Sequence, residues 1–226
     1  MKIVAIVASP RGTRGATGAL TEIVLQGAQK AGAAIETVVI KGQEVKPCTA
    51  CDRCHRRGSC AQRDSFGKIR ERVDAADGLI FATPNYISHV SAQMKAFFDR
   101  CCGVVHLQGF EGKYGAAVVT SGGGDEAPIA AYISQFLAVT GAVPVGAVWA
   151  TMEKVQGYDF PAETRDKALA LGERLVKAWA AKEIAPEPYA EATLRFRERM
   201  RSLIGRRGKE WPFEYEYWKT HRGLKA

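Results

Sequence analysis

The chain has 226 residues, of which 46% are hydrophobic and 25% charged, and its formal net charge is +8. That balance describes a globular protein of one or two domains and excludes collagen, low-complexity disorder and a membrane-embedded protein. No apolar run approaches the roughly 18 residues needed to cross a bilayer. Met1-Lys2 leads straight into a short apolar run without signal-peptide features, so a cytoplasmic location without membrane contact is expected.

Residues 2–8 (Lys-Ile-Val-Ala-Ile-Val-Ala) are a near-continuous apolar run ending at Ser-Pro, as expected of a strand buried on both faces of a parallel sheet. Residues 17–32 place Leu20, Ile23, Val24, Gly27, Ala28 and Ala31 near a 3.6-residue period and end at Gly32, which predicts a helix. A second strand is predicted at 35–40, a helix at 65–76 and a third strand at 78–83. A helix over 91–101, a strand at 114–120, a helix over 125–140 and a fifth strand at 143–150 continue the alternation. A helix over 161–182 covers the sheet. Five strands separated by helices predict a right-handed, doubly wound α/β fold. The predicted division is a main domain over 1–185 and an extension over 186–226. The extension combines a basic helix at 190–207 with an aromatic-rich stretch from Glu210 to Trp218, holds too few apolar residues for a core of its own, and is expected to pack on the domain or on another subunit.

The charge is unevenly placed. Residues 41–63 carry six Lys/Arg against two acids, residues 186–226 carry ten against six, and the rest of the chain is balanced. Four of the six cysteines also lie in the first basic segment. In a chain without secretory features, such clustering points to metal or redox chemistry rather than to a disulfide framework.

Three loops fall at one edge of the predicted sheet. Ser9 to Thr17 joins the first strand to the first helix, and its backbone N–H groups, hydroxyls and Arg11 make a phosphate site. It matches neither G-x-G-x-x-G nor a P-loop. Thr83-Pro84-Asn85-Tyr86-Ile87-Ser88 ends the third strand, beside the topological switch where such sheets bind ligands, and Tyr86 offers a face for a planar ring. Thr120-Ser121-Gly122-Gly123-Gly124 follows the fourth strand and lets a ligand approach the backbone. A phosphate end and a flat-ring end on one rim suit flavin mononucleotide.

Ser-Pro-Arg…Gly-x-Thr-x-x-Leu from Ser9 to Leu20, Thr83-Pro84-x-Tyr86 and the run from Ser91 to Arg100 resemble the NADPH-dependent FMN reductase branch of the flavodoxin-like superfamily. The resemblance covers roughly residues 1–150. It implies a five-stranded parallel sheet of order 2-1-3-4-5 and places Ser9, Arg11, Thr13, Gly15, Ala16 and Thr17 at the FMN phosphate. Ala16 stands where the family often has Asn or Ser. Thr83 to Ser88 and Ser121 to Gly124 would flank the isoalloxazine ring. NAD(P)H would be a transient donor, stacking on the flavin without a dinucleotide fingerprint of its own.

Cys48-x2-Cys51-x2-Cys54-x5-Cys60 lies between the second strand and the next helix. Its two-residue gaps match the compact runs that wrap a small iron–sulfur cluster; a four-cysteine zinc site, disulfides or cysteines without a cluster are the other readings of this spacing. The spacing is similar to that of the iron–sulfur flavoproteins, a subgroup of the same family, which implies a [4Fe-4S] cluster on Cys48, Cys51, Cys54 and Cys60. Lys46, Arg53, Arg56 and Arg57 would offset its negative charge or attract an acidic ferredoxin. His55 is expected to be a loop residue. Of Cys101 and Cys102, one is expected in the core and one at the surface, neither with ligand spacing.

The expected function is therefore an FMN-dependent oxidoreductase moving electrons between a reduced donor (a ferredoxin or NAD(P)H), FMN and a [4Fe-4S] cluster, with a small-molecule acceptor and no catalytic triad. The resemblance implies a homodimer or homotetramer. Two other readings stay open: a cluster-free NAD(P)H-dependent FMN or quinone reductase, and a non-enzymatic flavodoxin-like sensor or binding module. The arginines at 195, 197, 199 and 201 fall on different helix faces, so a nucleic-acid partner is not expected.

Overall fold

A computed structural model describes residues 1–155 and 157–224 of the chain. Five strands, β1 (Lys2–Ala8), β2 (Ala34–Ile40), β3 (Gly78–Pro84), β4 (Tyr114–Ser121) and β5 (Val143–Thr151), form one sheet in the order β2-β1-β3-β4-β5. Every pairing is parallel. This is the doubly wound, flavodoxin-like order expected from the sequence.

The two faces of the sheet are filled by alternate side chains. Val4, Ile6, Leu79, Phe81, Ala117 and Val119 face α3 (Phe66–Asp74), α4 (Ala92–Arg100) and α6 (Glu126–Val139). Ile3, Ala5, Val7, Ile80, Ala82 and Val118 face α1 (Ala16–Lys30) and α7 (Ala162–Ala180). The period-2 alternation of each strand thus divides one apolar run between two cores. On the second face, α1 and α7 touch backbone to backbone. A Cβ on Gly27 would stand 2.0 Å from the Leu169 carbonyl oxygen, and one on Gly172 2.0 Å from that of Val24. No side chain fits at either position.

The predicted helix over 91–101 is α4, capped by Ser91, whose Oγ accepts from the Met94 N–H. A short helix, α5 (Cys102–Leu107), follows directly after Cys101. Another, α2 (Arg53–Arg57), lies inside the cysteine-rich segment. Neither was expected from the sequence, because five or six residues hold too little periodicity to register.

The C-terminal extension forms α8 (Tyr189–Arg206) and α9 (Pro212–Arg222). The expectation that it lacks its own core needs correction: Met200, Ile204, Trp211 and Trp218 make a small buried cluster, completed by Leu107 from α5. Aromatic bulk replaces aliphatic count here, because each Trp brings a large buried surface. The cluster seats α9 against α2 and α5. Several of the arginines are also used within the chain. Arg197 bonds Gln108 and Glu111, and Arg222 bonds Glu111 and the Leu107 carbonyl. No described helix is long and apolar enough to cross a membrane.

Candidate flavin and cysteine sites

The three loops predicted at one sheet edge do converge. Ser9, Arg11, Gly15, Ala16, Thr17, Pro84, Asn85, Tyr86, Ser121 and Gly122 line one cavity of about 200 Å³ at the carboxyl ends of β1, β3 and β4. Thr120, from the predicted glycine loop, lines it too, as does Met152, which was not anticipated. Met152 follows the end of β5, where position rather than residue type admits it. Buried Thr17 and Thr120 meet across the cavity floor, their hydroxyls 2.7 Å apart.

α1 begins at Ala16 with extended Gly15 as its N-cap and no side-chain cap. Its first-turn N–H groups therefore lack a side-chain acceptor, and the positive end of the helix dipole faces the cavity mouth. Those two features suit a bound phosphate. At the other end, Asn85 donates from Nδ2 to the Gly124 carbonyl at 2.8 Å, while its buried Oδ1 has no partner. A buried carbonyl oxygen without a donor is costly and fits a ligand that carries an N–H. A Cβ on Gly122, Gly123 or Gly124 would meet nothing within 4 Å, so open space lies along this loop.

The remaining predicted residues serve the loops indirectly. Thr13 lies on the turn at Gly12–Arg14, and its backbone presses on Gly18, where a Cβ would stand 2.4 Å away. Fully buried Thr83 accepts from the Ser91 N–H and donates to the Pro84 carbonyl, fixing the strand end. Ile87 is wholly exposed, and Ser88 bonds Asp125 on the facing loop. Glu126 ties the glycine loop to β5: its Oε1 accepts from the Ser121 and Thr151 hydroxyls. Burial opposes charge on Glu126, but those two hydroxyls win and hold its carboxyl below the usual range.

Cys48, Cys51, Cys54 and Cys60 are free thiols lining a second cavity, of about 240 Å³. The segment turns tightly around it, with Ala50, Asp52 and Gly58 all in the left-handed region. The Ala50 N–H points at Cys48 Sγ, 3.4 Å away. The Arg53 backbone N–H is the main cause holding the Cys51 thiol below its ordinary pKa, against the opposing effect of burial. Arg100, whose side chain is fully buried, donates from Nε to Cys60 Sγ at 3.1 Å and clasps Asp64 with both terminal nitrogens. Four sulfurs around one space, approached by N–H donors, are the donor set a four-thiolate cluster requires.

A fifth cysteine, Cys102, lines the same cavity, whereas Cys101 is fully buried, and burial pushes the Cys101 thiol up to about 12. The expectation of a surface cysteine is thus corrected: Cys102 is half-buried and contacts two imidazoles. His55 is likewise no loop residue. It is buried in α2, stacks on His106 and packs at a tilt against Trp211. The His55 and His106 Nδ1 atoms lie 2.6 and 3.0 Å from the two oxygens of fully buried Glu214, on α9. Their Nε2 atoms lie 3.7 and 3.8 Å from Cys102 Sγ. Burial opposes charge on His55, but the Cys102 and Cys54 thiols and Glu214 outweigh it and push the pKa up to about 12. Against the same opposition, Cys102 and Glu214 push His106 up to about 9. Hydrogen bonds from His106 and His55 hold Cys102 down to about 6. Sequence offered one signal for this cluster, the i, i+4 spacing of Cys102 and His106, but α5 itself was not visible.

Comparison with known proteins agrees with the geometry. The NADPH-dependent FMN reductase family matches residues 1–157. An iron–sulfur flavoprotein of Archaeoglobus fulgidus is 32% identical over 220 residues, covering 97% of this chain and 98% of the relative. One from Methanosarcina thermophila is 36% identical over 154 residues, covering 65% of this chain and 78% of the relative. Among solved structures, a WrbA-like flavodoxin from Agrobacterium tumefaciens superposes with a TM-score of 0.56 at 19% identity, covering 80% of this chain and 98% of that one. An FMN-dependent NADH-azoreductase from Bacillus anthracis superposes with a TM-score of 0.57 at 14% identity, covering 79% and 99%. These structural likenesses support the fold. The chain belongs to the NADPH-dependent FMN reductase family, among relatives named iron–sulfur flavoproteins, and is an FMN-dependent flavoprotein oxidoreductase.

Proposed function

We propose that the chain moves electrons between a reduced donor, FMN in the three-loop cavity and a [4Fe-4S] cluster on Cys48, Cys51, Cys54 and Cys60. The observation that carries this reading is the convergence of those four free thiols on one space. When bound, FMN exchanges electrons in pairs or singly and the cluster singly, so together they convert between the two modes.

The protein's part is binding and tuning. Ser9, Arg11 and Thr17, with the open N-terminus of α1, would hold the phosphate. The Asn85 Oδ1 would accept from the ring system, while Tyr86, half-exposed, would lie along it. Thr13, Gly15, Ala16 and Thr83 would shape the two binding loops from behind. Ile87 and Ser88, with Gly122 to Gly124, would form the rim at which a nicotinamide or other small molecule meets the flavin. Around the thiolates, Arg100 and the Ala50 N–H would donate to sulfur and favour the reduced, more negative state.

α4 links the two cavities. Its N-cap Ser91 is bonded to β1 and β3 at the flavin end, and its last residue, Arg100, touches Cys60. Nine residues of helix span roughly 14 Å. A homodimer or homotetramer, which the family resemblance implies, would let another chain's flavin approach the cluster.

The test is an anaerobic titration of the purified protein with NADH, NADPH and reduced ferredoxin, following flavin and cluster absorbance together. Reduction of both chromophores supports the reading. Flavin bleaching by NADPH in protein that carries no iron would establish the cluster-free reductase instead.

A further inference from the structure

We propose that His55, Cys102 and His106 form a separate mononuclear site for a zinc-class divalent ion, next to the four-cysteine site and fixed from behind by Glu214.

The three ligand atoms converge. His55 Nε2, His106 Nε2 and Cys102 Sγ all lie within 4.8 Å of one another. A tetrahedral zinc ion with bonds of about 2.0 Å to nitrogen and 2.3 Å to sulfur sets N···S at about 3.6 Å. The two N···S distances are 3.7 and 3.8 Å. The same geometry needs about 3.3 Å between the nitrogens; the structure holds them within 4.8 Å on rings stacked at 24°, so the two imidazoles must tilt toward each other to share an ion. Cys102 and His106 stand one turn apart on α5 and share a face.

The surroundings match what such a site needs. Metal-binding histidines commonly donate their other ring N–H to a carboxylate, which fixes tautomer and orientation. Here one carboxylate serves both rings, Glu214 Oε1 toward His55 Nδ1 and Oε2 toward His106 Nδ1. Each ring thereby turns its Nε2 toward Cys102. Trp211 packs on both imidazoles. A fully buried carboxylate on the last helix serves none of the steps assigned to flavin or cluster, and orienting these two imidazoles gives it a role.

The ligand set is borderline-soft, two imidazoles and one thiolate, which suits zinc over magnesium or calcium. Ion entry forms two metal–nitrogen bonds and one metal–sulfur bond. Any proton held on Nε2 or Sγ leaves to solvent, and the ion replaces its charge. The fourth position would be filled by water or by Asp52, which lines the cysteine cavity with its Oδ1 3.9 Å from His55 Nε2. An ion there would pin α2, α5 and α9 together and so tie the cysteine loop to the C-terminal extension.

The test is elemental analysis of the holoprotein after dialysis against a weak chelator, with zinc and iron counted per chain, and Co²⁺ as a spectroscopic probe. The expected result is about one zinc per chain beside the cluster iron. Cys102→Ser and His106→Gln should lose zinc, and the thiolate-to-cobalt charge-transfer band, while keeping iron. Glu214→Gln should keep the site with affinity weakened about 10- to 100-fold. Cys48→Ser should lose iron and keep zinc. Folding of each variant is checked by far-UV circular dichroism, and titration of the unmutated protein with Zn²⁺ and Co²⁺ needs no variant at all. Failure of the folded, unmutated protein to take up either ion would overturn the proposal, as would loss of iron from folded Cys102→Ser, which would make Cys102 a cluster ligand. Zinc lost from Cys48→Ser but kept by Cys102→Ser would overturn both this proposal and the cluster reading.

Discussion

Replacing Arg100 by Leu should unseat the cysteine loop. The guanidinium is fully buried and bonds Asp64 bidentately at 2.8 and 3.2 Å, the Lys46 carbonyl at 2.9 Å and Cys60 Sγ at 3.1 Å. It also lies over the Phe66 ring, 4.6 Å from its centroid. Leucine leaves Asp64 buried beside the backbone N–H groups of Lys46 and Phe66, with no cation. Removing one partner of such a pair costs about 3–5 kcal/mol. For a chain of this length, each kcal/mol lowers Tm by about 2–4 °C, so the expected fall is roughly 6–20 °C. Thermal and urea unfolding, with iron retention, are the assays. Arg100→Leu with Asp64→Asn should be less destabilised than Arg100→Leu alone, because no unpaired charge remains. The pH dependence has a defined sign. Burial raises the Asp64 carboxyl, but Arg100 and the two backbone N–H groups outweigh it and hold the folded-state pKa below the usual range. Its stabilisation is complete above the unfolded carboxylate pKa of about 3.9 and is lost as pH falls through the lower, folded value. The gap between unmutated protein and variant should therefore narrow below about pH 4. A loss under about 1 kcal/mol, with iron retained, would refute the idea that this pair anchors the loop.

Thr17→Val should raise the FMN dissociation constant roughly 10- to 150-fold, since a hydrogen bond to a charged group contributes about 1.5–3 kcal/mol; unchanged affinity by fluorescence titration would remove Thr17 from the phosphate site. Glu126→Ala should leave the buried Ser121 O–H without its acceptor, at about 1–3 kcal/mol, while exposed Thr151 turns to water, and should weaken FMN binding through the glycine loop; thermal unfolding reads the first effect and calorimetry of flavin binding the second. Gly27→Ala should lower stability by about 1–3 kcal/mol or more, because its Cβ meets the Leu169 carbonyl on α7; a neutral result in urea unfolding would contradict the backbone contact. Trp218→Ala should cost about 3–5 kcal/mol by emptying the cluster under α9, and protease sensitivity of residues 186–224 should rise with it.

The sheet was legible because its central strands β1, β3 and β4 are apolar on both faces and end in loops rich in Gly, Pro or Ser. The flavin loops were legible for the same reason: they sit where strands end, so finding β1, β3 and β4 also located Ser9, Thr83 and Ser121. Met152 escaped because nothing in its type marks it; only the placement of the end of β5 brings it in. The cysteines at 48, 51, 54 and 60 declared themselves by spacing. Glu214 did not. It lies 159 residues from His55 along the chain, and pairing across that distance leaves no trace in local sequence. Trp211 and Trp218 looked like packing residues and are, yet their partners on α2 and α5 depend on two helices too short to register by periodicity.

The most direct measurement of the central claim is iron and flavin per chain in protein purified without oxygen, with Cys60→Ser beside it. The account predicts about four irons and about one FMN per chain, a brown protein with broad visible absorbance, and loss of iron but not flavin in the variant. Flavin without iron in the unmutated protein, or iron undiminished in Cys60→Ser, would contradict it.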